Sequence, residues 1–502
     1  MAFQVVKNNS TIPLQQIPVL EYDVFFQEVL NLLKNKNCHC VNYYAVPTAE
    51  GLKFICCIAD DNENKIHVTS FIKNGDEAIT LNSLTAHHKA MHIYEREIHE
   101  QYGVAFYGHP WLKPVRFPFD KKDNTLNIPD YPFYGIKSHE LHEVGVGPIH
   151  AGIIEPGHFR FICNGEKVLH LEIHLGFQHR GLEELMLQDK TILQRTILAE
   201  SIAGDTVVGH NSAFCNAMEA LGGIEVLPNI HISRTIASEL ERIAMHTADL
   251  SALCTDVAFQ LGSAVLQGLR TIIINTFLIW CGNRFARKLI RCGSEPYPLN
   301  AELIAKIKQN LDLFEKRYLE VVDKTMDMPS VLARFDRTGI VTHEQSRMIG
   351  AVGMAARTTG IIRDIRQSHP YASYAEIMHE PVILETGDVK ARAKLRDLEV
   401  RQSLKYIREL LEKYDLGTTS KLQPDSIKLK PETFAIALTE GWRGEICHCA
   451  ITTKDGALAH YKIKDPSLNN WMALALAVRD NDISDFPVCN KSFNLSYCGY
   501  DL

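Results

Sequence analysis

The stretch FPFDKKDNTLNIPDYPFYGIKSHELHEVGVG, Phe117 to Gly147, decides how this 502-residue chain is divided. It holds three prolines, a charged run and little hydrophobic periodicity, the texture of a linker between two folded units. Before it, helix and strand alternate. Tyr22 to Lys34 repeats apolar residues at helical spacing, and CVNYYAV (Cys40 to Val46) and LKFICCIA (Leu52 to Ala59) are β-rich runs around a turn at Thr48 to Gly51. A second helix is expected from Ser83 to near Gly103. After the linker, HFRFICNGEKVLHLEIHLGF (His158 to Phe177) alternates as a hairpin turning at Asn164-Gly165. Helices then dominate. Apolar residues from Ile236 to Leu261 recur at three- and four-residue steps within Arg234 to Asn283, which predicts one very long helix or two stacked ones. Leu303 to Val322 and Val389 to Tyr414 extend the bundle, and strands return at FAIAL and EICHCAITT before a last helix near Asn470 to Val478.

These patterns predict an α+β chain of two domains. A small α/β sandwich occupies residues 1–117, a linker 118–146, and a mostly helical domain with small antiparallel sheets 147–502. A chain of this length exceeds what one core usually holds. The 46% hydrophobic and 23% charged content is that of a globular protein, and a net charge of -7 gives no footprint for nucleic acid. The start, MAFQVVKNNSTIPL, lacks a basic stretch followed by an apolar run, so a cytoplasmic location is expected. Ala264 to Cys281 is apolar but contains Gln267, Arg270 and Asn275, which favours a core helix over a membrane span. The 13 cysteines include no CxxC pair and are read as packed thiols.

Several motifs resist a purely structural reading. EREIHEQYGVAFYGHP (Glu95 to Pro110) would ordinarily be a solvated helix end, but it resembles the signature of the C-type subunits of NADH:quinone oxidoreductase over about residues 20–120. Gly147-Pro148-Ile149-His150, the hairpin and His179-Arg180-Gly181-Leu182-Glu183 resemble the pattern of the D-type subunits of the same enzyme and of hydrogenase large subunits. So do Glu239-Leu240-Glu241-Arg242-Ile243 with His246, the run from Thr358 through Asp364 and Arg366 to Tyr374, the helix carrying Arg392, Arg396, Glu399 and Ser403, and the turn Glu440-Gly441-Trp442-Arg443-Gly444-Glu445, where Trp442 replaces a proline. The chain resembles a C/D fusion of NADH:quinone oxidoreductase, most like energy-converting hydrogenase large subunits of the hydrogenase-4 and formate hydrogenlyase type.

The resemblance implies a peripheral-arm subunit on the cytoplasmic face of the cell membrane. An iron-sulfur small subunit would supply electrons, and antiporter-like membrane subunits would couple their flow to ion movement. It also shows two departures. Where relatives carry CxxC nickel motifs, this chain has Ala203 and Thr206, then Ser496 and Gly499, with Cys498 one position out of register. Nickel requires soft thiolates, so no nickel-iron centre is expected and no metal ligand is assigned. By resemblance His150, Asp205 and Arg443 are the candidate catalytic residues at a cavity for a quinone-type acceptor, with Ala203, Thr206, His210, Ser496 and Tyr497 lining it. The helix after the HRG turn lacks the tyrosine of quinone-reducing relatives. Three readings therefore stay open: acceptor reduction, a redox-inert scaffold, and reduction of a sulfur species.

Overall fold

The computed structural model describes residues 1–74, 78–116, 131, 133–150, 154–418, 420 and 422–502. Residue 117, residues 118–130 and 132 of the expected linker, and residues 151–153 of the loop after His150 lie outside them. The first domain packs the Tyr22–Leu33 helix on a four-stranded antiparallel sheet in the order Gln4–Val6, Lys65–Lys73, Gly51–Asp60, Cys38–Thr48. The two β-rich runs are strands longer than their apolar cores, because pairing continues through Asp60 and Thr48 at their ends.

The second helix differs from expectation. It covers His92–Tyr102 rather than starting near Ser83. The Glu95 carboxylate accepts from Ser83 Oγ at 2.6 Å, Leu84 N at 2.7 Å and Thr85 Oγ1 at 2.6 Å, so residues 83–85 wrap the side chain instead of continuing the helix. The charged residues of this helix are buried, not solvated. Glu97 pairs with Arg116 and with Lys462 (2.8 Å), and Arg116 Nε donates to Tyr500 O at 2.7 Å, which ties the first domain to the last residues of the chain.

A second tie comes from the N-terminus. Ser10–Pro13 adds as an edge strand to the sheet Leu458–Lys464, Glu445–Thr452, Thr433–Glu440 of the second domain, with Ile12 opposite Phe434. Asn8 fixes this edge by donating to Leu438 O and accepting from Leu438 N. His142–Val146, inside the stretch read as linker, pairs with His158–Asn164 as the third strand of the hairpin sheet.

The long apolar region is two helices, Pro228–Asp256 and Gln260–Cys281. Between them Ala258 adopts φ 59°, and a Cβ at Gly262 would lie 2.5 Å from the Phe259 ring, so the bend requires glycine. Gln260–Cys281 is the one helix among the described residues long and apolar enough to cross a membrane. It packs between Pro228–Asp256 and Ala301–Asp327, burying Leu266, Leu269, Ile273, Phe277 and Trp280 and leaving Leu278 and Ile279 exposed. A strand at Leu458–Lys464 precedes the single helix expected there, and the two short helices Phe486–Phe493 and Tyr497–Asp501 follow it.

Within the bundle, motif residues far apart in sequence meet in one buried ion network. Arg366 binds Asp364 through Nε (2.9 Å) and Nη2 (2.6 Å) and Glu399 through Nη2 (2.7 Å). Arg357 joins the same two carboxylates, His246 Nε2 lies 2.7 Å from Glu399, and His379 Nε2 lies 3.1 Å from Asp364. These side chains are at most 1% exposed. Removing one partner of such a network strands a charge away from water. Arg366→Leu is therefore expected to lower unfolding free energy by about 3–5 kcal/mol in chemical denaturation.

Glu440 sits beside this network. Burial first, then the charge of Asp364, raises its carboxyl to about 8 against the nearby arginines. Its folded value exceeds the ordinary 4.5, so its contribution to stability is full below that value and is lost as pH rises through about 8. Glu440→Gln should flatten the decline in melting midpoint between about pH 5 and pH 9, as read by calorimetry.

Candidate functional site

The ion network positions the turn that carries Arg443. Arg242 donates to Glu440 O at 2.9 Å and Gly441 O at 3.3 Å, and Gly441 and Gly444 close the turn on each other at 2.9 and 3.1 Å. A Cβ at Gly444 would lie 2.6 Å from Gly353 Cα, so backbone packs directly on backbone there. Trp442, in the place of a proline, donates from Nε1 to Asp205 O at 2.8 Å, and the Arg443 guanidinium lies 3.9 Å over its ring.

Arg443 and Asp205 meet in a bidentate pair of 2.7 and 2.6 Å. Arg443 also donates to Thr206 Oγ1 (3.1 Å) and Asn494 O (2.5 Å). Its side chain is 4% exposed while that of Asp205 is 35% exposed, so the carboxylate is the open side of the pair. Asn494 is held in turn by Asp249, which also binds Arg396 at 2.9 Å.

Ser496 caps the Tyr497–Asp501 helix by accepting from Gly499 N at 2.9 Å, and its hydroxyl lies 3.4 Å from Cys498 Sγ. Tyr497 packs edge-on against Trp471 at 4.9 Å. Among the described residues His150 makes no hydrogen bond to the Asp205 pair. Its Nε2 donates to Gly157 O at 2.9 Å, and Gly157 abuts Tyr497, where a Cβ would lie 2.6 Å from the ring. The structure thus joins Asp205, Thr206 and Arg443, sets Ser496 and Tyr497 on the adjoining segment, and hydrogen-bonds His150 to Gly157, which packs on Tyr497.

His210 and Ala203 are fully buried. His210 belongs to a hydrogen-bonded row beneath the site. Burial, with His210 adding to it, holds His448 well below the ordinary histidine value, so its ring is neutral. Its Nδ1 lies 2.7 Å from Tyr461 Oη and its Nε2 3.1 Å from His210 Nδ1, and His210 Nε2 donates to Asp465 at 2.9 Å. Burial works to raise Asp465, but the His210 hydrogen bond and the Arg443 charge outweigh it and hold the carboxyl below its ordinary value.

Asp465 tests whether nickel fits. A Cβ at Gly499 would lie 2.7 Å from Asp465 Oδ2, so a carboxylate fills the space a cysteine side chain needs. Thr206 is tied to Arg443, and Ala203 has no donor atom. Among the described residues no group of three or more His, Cys, Asp or Glu is placed to hold a metal ion. The residues present do not fit a nickel-iron centre.

Sequence reasoning missed Asp465 and His448, whose signals were only an Asp-Pro helix start and one histidine in a β-run. It also passed over Glu155. Burial, and after it the charge of Glu155, pushes the Cys498 thiol to about 11. Cys498 is also the one cysteine of the 13 that is not buried.

Known proteins resemble this chain in parts of both of its halves. Residues 24–126 match the family model described as Respiratory-chain NADH dehydrogenase, 30 Kd subunit, and residues 262–434 match that of the 49 Kd subunit. The chain is a fusion of these two domain types. Its relatives include Hydrogenase-4 component G of Escherichia coli, 26% identical over 80% of this chain and 72% of the relative. Carbon monoxide-induced hydrogenase of Rhodospirillum rubrum is 29% identical over 70% and 97%, and the C/D subunit of NADH-quinone oxidoreductase from Phocaeicola vulgatus is 26% identical over 79% and 82%. These homologues are oxidoreductases or their subunits.

Cys498 offers a direct check on the local electrostatics. At pH near 7.5 its alkylation by iodoacetamide should be about two orders of magnitude slower than that of a free thiol, because so little thiolate exists. Glu155→Gln should speed it, as read by intact mass.

Proposed function

We propose that this chain is the peripheral subunit of a membrane-bound oxidoreductase whose acceptor, an organic quinone-type molecule, is reduced beside Asp205 and Arg443. In this reading an iron-sulfur partner subunit supplies the electrons, and antiporter-like membrane subunits couple their flow to ion movement. The chain itself sits on the cytoplasmic face of the cell membrane through those partners. The names of the relatives support the complex, since they include a Membrane-bound hydrogenase subunit alpha of Pyrococcus furiosus.

The observation that carries the reading is the pair itself: a buried guanidinium bound to a part-exposed carboxylate beside Thr206, one of the positions where thiolates would be needed. Reducing a quinone-type carbonyl takes two electrons and two protons, and negative charge develops on oxygen. A buried, fixed cation stabilises that charge strongly. Asp205, facing outward, is suited to pass a proton, while His150 on the opposing loop is the second candidate donor. No step involves nickel, because the residues do not fit it.

The scaffold reading has its own support. The donors of Arg443 are already committed to Asp205, Thr206 and Asn494, and its turn is locked through Arg242 to the buried ion network. Reduction of a sulfur species gains nothing from Cys498, whose raised value keeps it a neutral thiol.

Arg443→Lys in the intact complex separates the two main readings. It keeps the charge but loses the planar fork, and acceptor reduction should fall about 100-fold with subunit assembly unchanged. Acceptor reduction at the original rate with ion movement lost would select the scaffold.

A further inference from the structure

A cavity of about 250 Å³ opens between the two domains, and neither Asp205 nor Arg443 lines it. Lys36, Asp61 and His88 of the first domain face His343, Arg347 and Arg363 of the second. The close approach here is built into the backbone. Gly350, at φ 67°, ends the His343–Ile349 helix, and a Cβ on it would lie 2.9 Å from the Ala90 side chain. The helix carrying His343 and Arg347 is thereby pressed onto the Lys89–Met91 turn that follows His88.

The charges on this lining do not cancel. Asp61 is its one carboxylate, and it is already matched, since Arg363 Nε donates to it at 3.2 Å and His39 Nδ1 lies 3.3 Å away. Among the described residues neither Lys36 nor Arg347 pairs with a carboxylate. Lys36, Arg347 and Arg363 against Asp61 leave an excess of two positive charges, in a chain whose net charge is -7. The two guanidiniums also converge: burial first, then the charges of Arg347 and Arg363, hold the His88 imidazole below its ordinary value. Like charges gathered at one cleft repel, and a bound anion offsets that repulsion.

These donors are open to solvent. Lys36, His343 and Arg347 are exposed, and the Arg363 side chain is 11% exposed. Arg363 spends only its Nε on Asp61, which leaves the Nη groups, and a planar guanidinium presents paired N–H groups that match an oxyanion. His343 Nδ1 donates to Thr359 O at 2.8 Å, so Nε2 is its remaining polar atom.

We infer that this cavity binds a dianionic phosphate group between Lys36 of the first domain and Arg347 and Arg363 of the second, and that its occupancy clamps the two domains together. The space is below the size of sites for drug-sized ligands, so the bound portion is phosphate itself or a small monoester. The inference is independent of the reaction proposed above, where the outward carboxylate of Asp205 repels a dianion.

Inorganic phosphate titrated into the full chain at constant ionic strength, with chloride as the balancing ion, tests this by calorimetry and thermal melting. One-to-one saturable binding and a rise in melting midpoint are expected. Affinity should fall about tenfold in Arg347→Gln and in Lys36→Gln, both at exposed positions that spare the core. Lys316→Gln removes an exposed cation elsewhere and should leave it unchanged. Phosphatidylcholine vesicles with and without phosphatidic acid separate the sources of the group. Retention that requires phosphatidic acid and Arg347, without binding of free phosphate, assigns it to a lipid headgroup, and binding of free phosphate assigns it to a soluble ligand. Failure of both probes overturns the inference. So does binding that survives Arg347→Gln combined with Lys36→Gln, or that Lys316→Gln weakens equally, which would mean attraction to surface charge alone.

Discussion

The rest of the structure depends on the two buried arginines, Arg357 and Arg366, clamped between Asp364 and Glu399. Charges this deep are tolerated only when each is matched, since desolvation of a lone ion exceeds any single attraction in a protein interior. Their elements come from distant parts of the chain: Glu239, Arg242 and His246 from one helix, Glu399 and Ser403 from another, Glu440 from a strand end. Matching them fixes how helices and sheet meet. Arg242 then extends that order into the Gly441–Gly444 turn, and through it to Arg443 and Asp205.

The first domain is bound into the same order by charge and by backbone. Glu97 reaches both Arg116 and Lys462, the backbone amides of Val115 and Arg116 donate to Glu100, and Ser10–Pro13 completes a sheet of the second domain. A division into residues 1–117 and 147–502 therefore describes sequence texture better than contact.

Much of this was legible in the sequence because its signals were local. Periodicity marked the helices of the bundle, Asn164-Gly165 marked the hairpin, and the spaced Arg and Glu residues marked the motifs. What stayed hidden depended on distance in the chain. Nothing in Ser10–Pro13 indicates that it pairs with Thr433–Ile436, some 420 residues away. Ser83 read as a helix start because its hydroxyl's partner, Glu95, lies one helical turn inside the element that actually forms. At the site, Asp205 and Arg443 were visible through resemblance, and the structure adds that they bind each other. His210 was placed at the cavity by position, yet its ring turns inward to Asp465 and His448.

The contact between Gly499 and Asp465 bears on how freely this chain can change over evolutionary time. A cysteine at 499 collides with a carboxylate that is itself the terminal acceptor of the row running from Tyr461 through His448 and His210. Giving up that carboxylate leaves three buried groups without an end to their chain, and keeping it forbids the thiol. Single substitutions in either order pass through a damaged intermediate. The hydrogen-bonded row thus acts as a lock that makes thiolate ligation at this corner hard to reach by single substitutions.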